Sequence, residues 1–318
     1  MLKNKEDKFN PIKSLTLYGY NEYFKKLIRL YENRNFPKVL LLTGEKGIGK
    51  FTLAFHIVNY FFSNNTANSY HLENLSINPD NNFYKSILND INENFNYIGK
   101  NNSKNVSVDE IREIKRKFGS GSLNNLPRFT ILDDADLLNS NSANALLKLI
   151  EEPSRLNYFI LINNKRKKII DTLKSRSLEL KIFIDKKNKD EILRKLMINY
   201  NIETDTDINF INYTTPGNLL RIFDSLNEME ISNEDELYES SIILLDRFKK
   251  NKDNIYLETI KFLLDLQIEK VLNKKNYNFL KIANLHREII NRLFEFENYN
   301  LSKNIVLNPI KILPEYVG

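Results

Sequence analysis

Cysteine is absent from the 318 residues, which excludes disulfides and any zinc or iron–sulfur site built on thiolates. Histidine is nearly as scarce, and His56 and His71 cannot form a metal site by themselves. No apolar run approaches the ~18–20 residues that span a bilayer, so no membrane partner is expected. The start, Met1-Leu2-Lys3-Asn4-Lys5-Glu6-Asp7-Lys8, lacks the apolar stretch of a secretory signal. The cytoplasm is the expected compartment. No internal repeat is visible, and no basic stretch carries the interleaved aromatics of a base-stacking surface.

What is present is ordinary for a globular chain: 42% apolar and 28% charged residues. Two or three domains fit this length. The net charge of +6 favours a polyanionic partner no more strongly than it reflects Lys, Asn and Ile enrichment in an AT-rich coding sequence.

Periodicity divides the chain. Lys38–Thr43 is an apolar strand, followed by a glycine-rich loop and a helix with Leu53, Ala54, Ile57, Val58 and Phe61 on one face. The Asn-rich stretch Ser63–Asn105 reads as a loop-rich insertion. Val106–Phe118 is helical, Phe129–Leu132 a buried strand, Asn141–Glu152 a helix stopped by Pro153, and Tyr158–Ile162 another strand. Alternation of strands and helices predicts a parallel α/β layer with helices on both faces, to about Ile184. Beyond it the chain reads as all-α: helices at Lys187–Tyr200, near Asp207–Tyr213 and from Pro216, then Ser240–Phe248, Tyr256–Leu272 and Phe279–Phe294. The expected domains are 1–184, 185–227 and 228–318.

Chemistry concentrates at two strand ends. Gly44-Glu45-Lys46-Gly47-Ile48-Gly49-Lys50 between strand and helix is a P-loop: backbone N–H groups cradle phosphates and Lys50 reaches the β and γ positions. Such loops place Ser or Thr directly after the lysine to ligate Mg²⁺. Phe51 stands there, and Thr52 lies about 100° further around the helix. Asp133-Asp134 closes the second strand, where an acid holds the metal and its neighbour polarises water. An aspartate at 134 is one methylene short of the usual glutamate, and a misplacement of ~1 Å can cost about 100-fold.

From here the sequence resembles the bacterial clamp-loader AAA+ family of DNA polymerase III. The resemblance is carried by Asp133-Asp134-Ala135-Asp136-Leu137-Leu138, by Ser142-Ala143-Asn144-Ala145-Leu146-Leu147-Lys148-Leu149-Ile150-Glu151-Glu152-Pro153 and by Ser175-Arg176-Ser177. Tyr18-Gly19-Tyr20 and Val108-Asp109-Glu110-Ile111-Arg112 match in order, and the matching motifs run from about residue 15 to 220. The resemblance implies an AAA+ P-loop domain, a small helical lid and a C-terminal helical collar. Phe51, Asp134 and Gly217, the last where motor subunits carry a sensor arginine, resemble the delta-prime branch rather than the ATP-hydrolysing gamma/tau branch.

That branch implies a stator with a degenerate ATP site: negligible hydrolysis of its own, ATP and Mg²⁺ bound weakly if at all, and no required cofactor. Gly44, Gly47, Gly49, Lys50, Thr52, Asp133, Asp134 and Asn163 would line it, with Asn163 or Asn164 in the sensor position or in a plain strand-ending turn. Arg176 would be an arginine finger for a neighbouring subunit, against the plainer role of capping a helix end. Arg221, one turn beyond Gly217, either partly replaces the missing arginine or is a surface residue. The implied partners are gamma/tau and delta subunits, and through them the sliding clamp and primed DNA. Lys165-Arg166-Lys167-Lys168, and Arg112, Lys115, Arg116 and Lys117, either touch DNA phosphates or form solvated faces. The four-cysteine zinc module of many relatives is replaced by Ser63–Asn105, so no zinc is expected. An active gamma/tau-type ATPase and a P-loop factor such as a helicase loader are the alternatives.

Overall fold

Aliphatic and aromatic runs flanked by Gly, Asn and Pro make the three inner strands here, and each of these is covered on both faces. Val39–Thr43 (β1) and Arg128–Leu132 (β3) are buried at every position, and Asn157–Asn163 (β4) at all but Tyr158. Continuous burial is the mark of a parallel sheet sandwiched between helices. With Phe95–Ile98 (β2) and Leu178–Lys181 (β5) the sheet has the order β2-β3-β4-β1-β5, all pairs parallel. The computed structural model describes residues 8–64, 66–99, 106–119, 126–151, 156–203, 214–232, 235–272, 278–299 and 301–313.

One face of the sheet packs on α1 (Asn21–Glu32) and α2 (Lys50–Ser63) through aromatic rings, such as Phe61 against Phe129 at 5.5 Å. The other packs Leu41, Leu132 and Leu161 against α4 (Val108–Gly119), α5 (Ser140–Ile150) and α6 (Asp171–Ser175). Ser107 and Glu110 form a reciprocal cap at the start of α4, and the Asn139 side chain accepts from Ser142 N at the start of α5. Register sets Thr43 level with Asn163, so the loops after β1, β3 and β4 open on one edge. Carboxyl-end loops of open α/β sheets are where ligands bind.

The stretch Ser63–Asn105 corrects the sequence reading. It contributes α3 (Asn82–Leu88) and the edge strand β2, and it buries Tyr70, Leu75, Ile77, Phe83 and Ile87. Its apolar residues are spaced singly among asparagines, so neither strand nor helix periodicity was visible. Glu152 and Pro153 lie outside the described residues, as does the helix expected near Asp207–Tyr213.

Two compact units are distinguished: Met1–Ile192 with Thr215–Gly217, and Leu193–Thr214 with Asn218–Gly318. The helices α7 (Lys186–Tyr200) and α8 (Pro216–Glu228) begin in the first and continue in the second. In the second unit α9 (Leu237–Asn251), α10 (Ile255–Leu272), α11 (Phe279–Tyr299) and α12 (Lys303–Ile312) pack in sequence order and close with α12 on α9. Among the described residues no helix is long and apolar enough to cross a membrane.

Candidate functional site

The loop between β1 and α2 needs its glycines. Gly47 and Gly49 have φ of 83° and 90°, in the left-handed region that L side chains resist. Every carbonyl from Gly44 to Ile48 is tied to a donor of the same chain. Lys50 Nζ donates to Gly44 O at 2.8 Å and Glu45 O at 2.5 Å. Thr215 Oγ1 donates to Lys46 O at 2.7 Å, Gly217 N to Gly47 O at 2.9 Å, and Tyr20 OH to Ile48 O. Burial lowers the Lys50 pKa to about 8 against the opposing pull of Asp133, Asp136 and Asp134.

Gly217 has no room for a side chain: a Cβ there would stand 2.6 Å from Gly47 O. Gly217 instead meets the loop through its backbone, its N–H donating to Gly47 O. Thr215 and Tyr20 belong to the same lock. Tyr20 lies within a motif visible in the sequence, but nothing local announced its carbonyl partner.

The side of the loop that would face a metal is aromatic. Phe51 is buried and its ring meets Tyr97 edge-on at 4.9 Å, while Thr52, one residue on, is half-buried. The acids are already paired. Asp133 Oδ1 accepts from Asp134 N at 2.8 Å and from Asn164 Nδ2 at 3.0 Å. Asp134, at φ 56°, accepts on Oδ1 from Asn164 Nδ2 at 2.6 Å and from Arg166 Nη2 at 2.5 Å. Asp136 gathers the backbone N–H groups of Asn164 and Arg166 at 3.1 and 2.8 Å, which folds the loop after β4 over the acids. Burial and the neighbouring Asp134 push the Asp133 carboxyl up from its ordinary range.

The two asparagines therefore separate. Asn164 bridges the acids, whereas Asn163 turns to Thr43 Oγ1 at 3.5 Å and accepts from Lys165 N. The residue facing the acidic pair is Asn164, because β4 ends at Asn163 and the next residue turns over the sheet edge.

Mg²⁺ demands near-octahedral oxygen ligands. Here one ligand position is a phenyl ring, and Asp134 is held by a guanidinium and an amide, so these residues do not fit the ion. Among the described residues no group of three His, Cys, Asp or Glu side chains could hold a metal. His56 is committed elsewhere, bonded to Ser14 O and Tyr70 OH.

Arg176 caps α6 just before β5 and is 40% exposed. Its Nη2 lies 3.0 Å from Glu151 Oε1, and Nη1 donates to Thr172 O at 3.2 Å. Leu178 pairs with Leu40, so Arg176 sits beyond the amino end of β1, while the glycine loop follows its carboxyl end. From Leu40 to Gly44 the strand alone spans about 13 Å, which puts the chain's own loop beyond a guanidinium's reach. Of the basic clusters, Arg166 is taken by Asp134 and Lys168 by Asp171, while Arg112 pairs with Asp109 on α4.

Comparison with known proteins adds the following. A family model described as DNA polymerase III, delta subunit, matches residues 19–185. The chain is 30% identical over 161 residues to DNA polymerase III subunit delta' of Buchnera aphidicola subsp. Schizaphis graminum, covering 48% of this chain and 45% of that one. It is 27% identical over 198 residues to the subunit of the same name from Buchnera aphidicola subsp. Baizongia pistaciae, covering 59% and 56%. The chain spans about half the length of the curated relatives it matches. A crystal structure of a DNA polymerase III gamma subunit-related protein from Thermotoga maritima aligns with a TM-score of 0.53 at 14% identity, covering 93% of this chain and 99% of that one. At that identity the likeness concerns the fold.

Proposed function

Because the chain belongs to the DNA polymerase III delta subunit family, a clamp-loader family, we propose that it serves as the delta-prime subunit of a clamp loader. In this reading it is a stator. Its own ATP site is degenerate, and it presents Arg176 to the ATP site of a neighbouring gamma/tau subunit. Gamma/tau and delta are its direct partners, with the sliding clamp and primed DNA reached through the assembled complex. Residues 185–227 would form the lid and 228–318 the collar that joins the ring.

The observation that carries this reading is the paired acidic end of β3. Asp134 Oδ1 accepts from Arg166 and Asn164 at 2.5 and 2.6 Å, so this oxygen is committed to an ion pair and an amide rather than offered to an attacking water. Phe51 removes the hydroxyl on the opposite side. Arg176 supports the second half. It is exposed, at the opposite end of the strands from its own loop, and held by a half-exposed ion pair of the kind worth about 0–1 kcal/mol and by bonds to Thr172 O and Ser175 Oγ within its own turn. A planar guanidinium so placed can grip two phosphate oxygens of a neighbour, where such a residue contributes about 10³–10⁵ in rate.

The test is ATP turnover by complex reconstituted with Arg, Lys or Ala at position 176, normalised to complex concentration. Arg176→Ala should leave melting and assembly unchanged and lower DNA-stimulated turnover by at least about 100-fold at the site it serves. Lysine should rescue poorly. Wild-type turnover in the alanine complex, with a loss of melting temperature instead, would reduce Arg176 to a helix cap.

A further inference from the structure

The five tied carbonyls have a consequence for the other half of each peptide. In a trans peptide the C=O and N–H point in opposite directions. The carbonyls of residues 44–48 are drawn onto Lys50, Thr215, Gly217 and Tyr20, so the N–H groups that share those peptides point away from these partners. Those of Gly47, Ile48 and Gly49 donate to no acceptor among the described residues. Gly49, as the N-cap of α2, offers no side chain to the first-turn N–H groups, which have no intrahelical acceptor either. The loop retains an anion cradle although the metal's oxygen ligands are gone.

A cation stands nearby. Arg166 binds Asp134 through one Nη2 only, and its Nη1 and Nε make no hydrogen bond among the described residues. It is 27% exposed, and it lies close enough to Lys50 to depress that ammonium. Asn164 and the N–H groups on Asp136 fix the backbone that carries it. We propose that Arg166 is a tethered cation in the station of the divalent ion, so that the loop takes the phosphates of a polyphosphate anion without metal. The inference rests on the degenerate-site reading above and deepens it. The Arg166 fork has two free donor positions and stands on the loop after β4, whose start is tied to the glycine loop by Gly44 N donating to Asn163 O at 3.2 Å; guanidinium and amide donors together suit tetrahedral oxyanions.

The test is calorimetric titration of the full chain with sodium pyrophosphate and with ADP, each in excess EDTA and in millimolar MgCl₂. Wild-type affinity should change by less than about threefold between the two conditions. Arg166→Ala should lose roughly tenfold in EDTA and regain part of it in Mg²⁺, because Asp134 is then released. Arg166→Lys should fall between them. Three results would overturn the proposal: no heat with either anion, wild-type binding that Mg²⁺ tightens tenfold or more, or Arg166→Ala affinity equal to wild type. The wild-type comparison decides the matter even if the alanine variant does not fold. Absent binding together with absent ATP turnover would sink this inference alone, whereas Mg²⁺-dependent turnover by the isolated chain would remove the degenerate-site reading as well.

Discussion

His56 has no exposure and sits between two fixed partners. Ser14 offers a carbonyl, which can only accept, so Nε2 carries the proton and Nδ1 accepts from Tyr70 OH at 2.8 Å. Burial lowers its pKa to about 4, against ~6.5 in an unfolded chain. The fold therefore favours the neutral ring, and unfolding takes up a proton between those values. The stability that His56 confers is complete above pH ~6.5 and is lost as the pH falls toward about 4. By pH ~5 the loss from this group is roughly 2 kcal/mol. Urea unfolding of wild type and His56→Gln at neutral pH and at pH ~5 isolates it. Glutamine keeps a donor and an acceptor but does not titrate, so the variant should lose less stability on acidification. Parallel pH profiles would mean that the ring is not held neutral.

At the scale of elements, the first turn of α2 and the first turn of α8 close the loop between them. Restoring the textual motif at either place should fail for packing reasons. Phe51→Thr removes a ring that packs edge-on against Tyr97 and in a stack with Phe55, at a cost of about 3–5 kcal/mol for a buried phenyl group. It should confer no ATP turnover, because Arg166 and Asn164 still occupy Asp134. Gly217→Arg should also destabilise, since its Cβ meets Gly47 O and either the loop or the helix must move. Melting curves and steady-state turnover of the two variants, separately and combined, check both statements. A combined variant that hydrolyses ATP at ordinary enzymatic rates would show that the acids are free.

At the scale of the whole molecule, the second compact unit shows where the chain can be cut. Phe223 of α8 lies 5.9 Å from Phe262 of α10, and Leu219, Leu220 and Leu226 are buried with it. This contact crosses the boundary expected after residue 227. A chain ending at Asn227 should expose these side chains and aggregate, whereas residues 1–192 keep the sheet and the helices on both its faces, losing from that unit only the Thr215 and Gly217 contacts to the glycine loop. Size-exclusion chromatography of the two truncations checks this. The shorter one should run as a monomer and fail to co-elute with gamma/tau subunits if the C-terminal helices join the ring.

The sequence by itself determined the α/β-then-helical order, the glycine loop and the acidic strand end, because each is written in contiguous residues. Helices α9, α10 and α11 are legible for the same reason, whereas α12 is not marked out in the sequence, and α5 is placed to within two residues at either end. What only the tertiary structure decided is which groups meet. Arg166 looked like one member of a basic run until Asp136 folded its loop onto Asp134, 32 residues away. Gly217 looked like a missing arginine until it stood against Gly47, and Asn163 and Asn164 could not be told apart until β4 ended between them. Strand β2 was hidden among asparagines, since an edge strand is defined by the neighbour it pairs with rather than by its own pattern. Local periodicity records what a segment is. Charge pairing and close approach depend on distances across the chain, which folding alone sets.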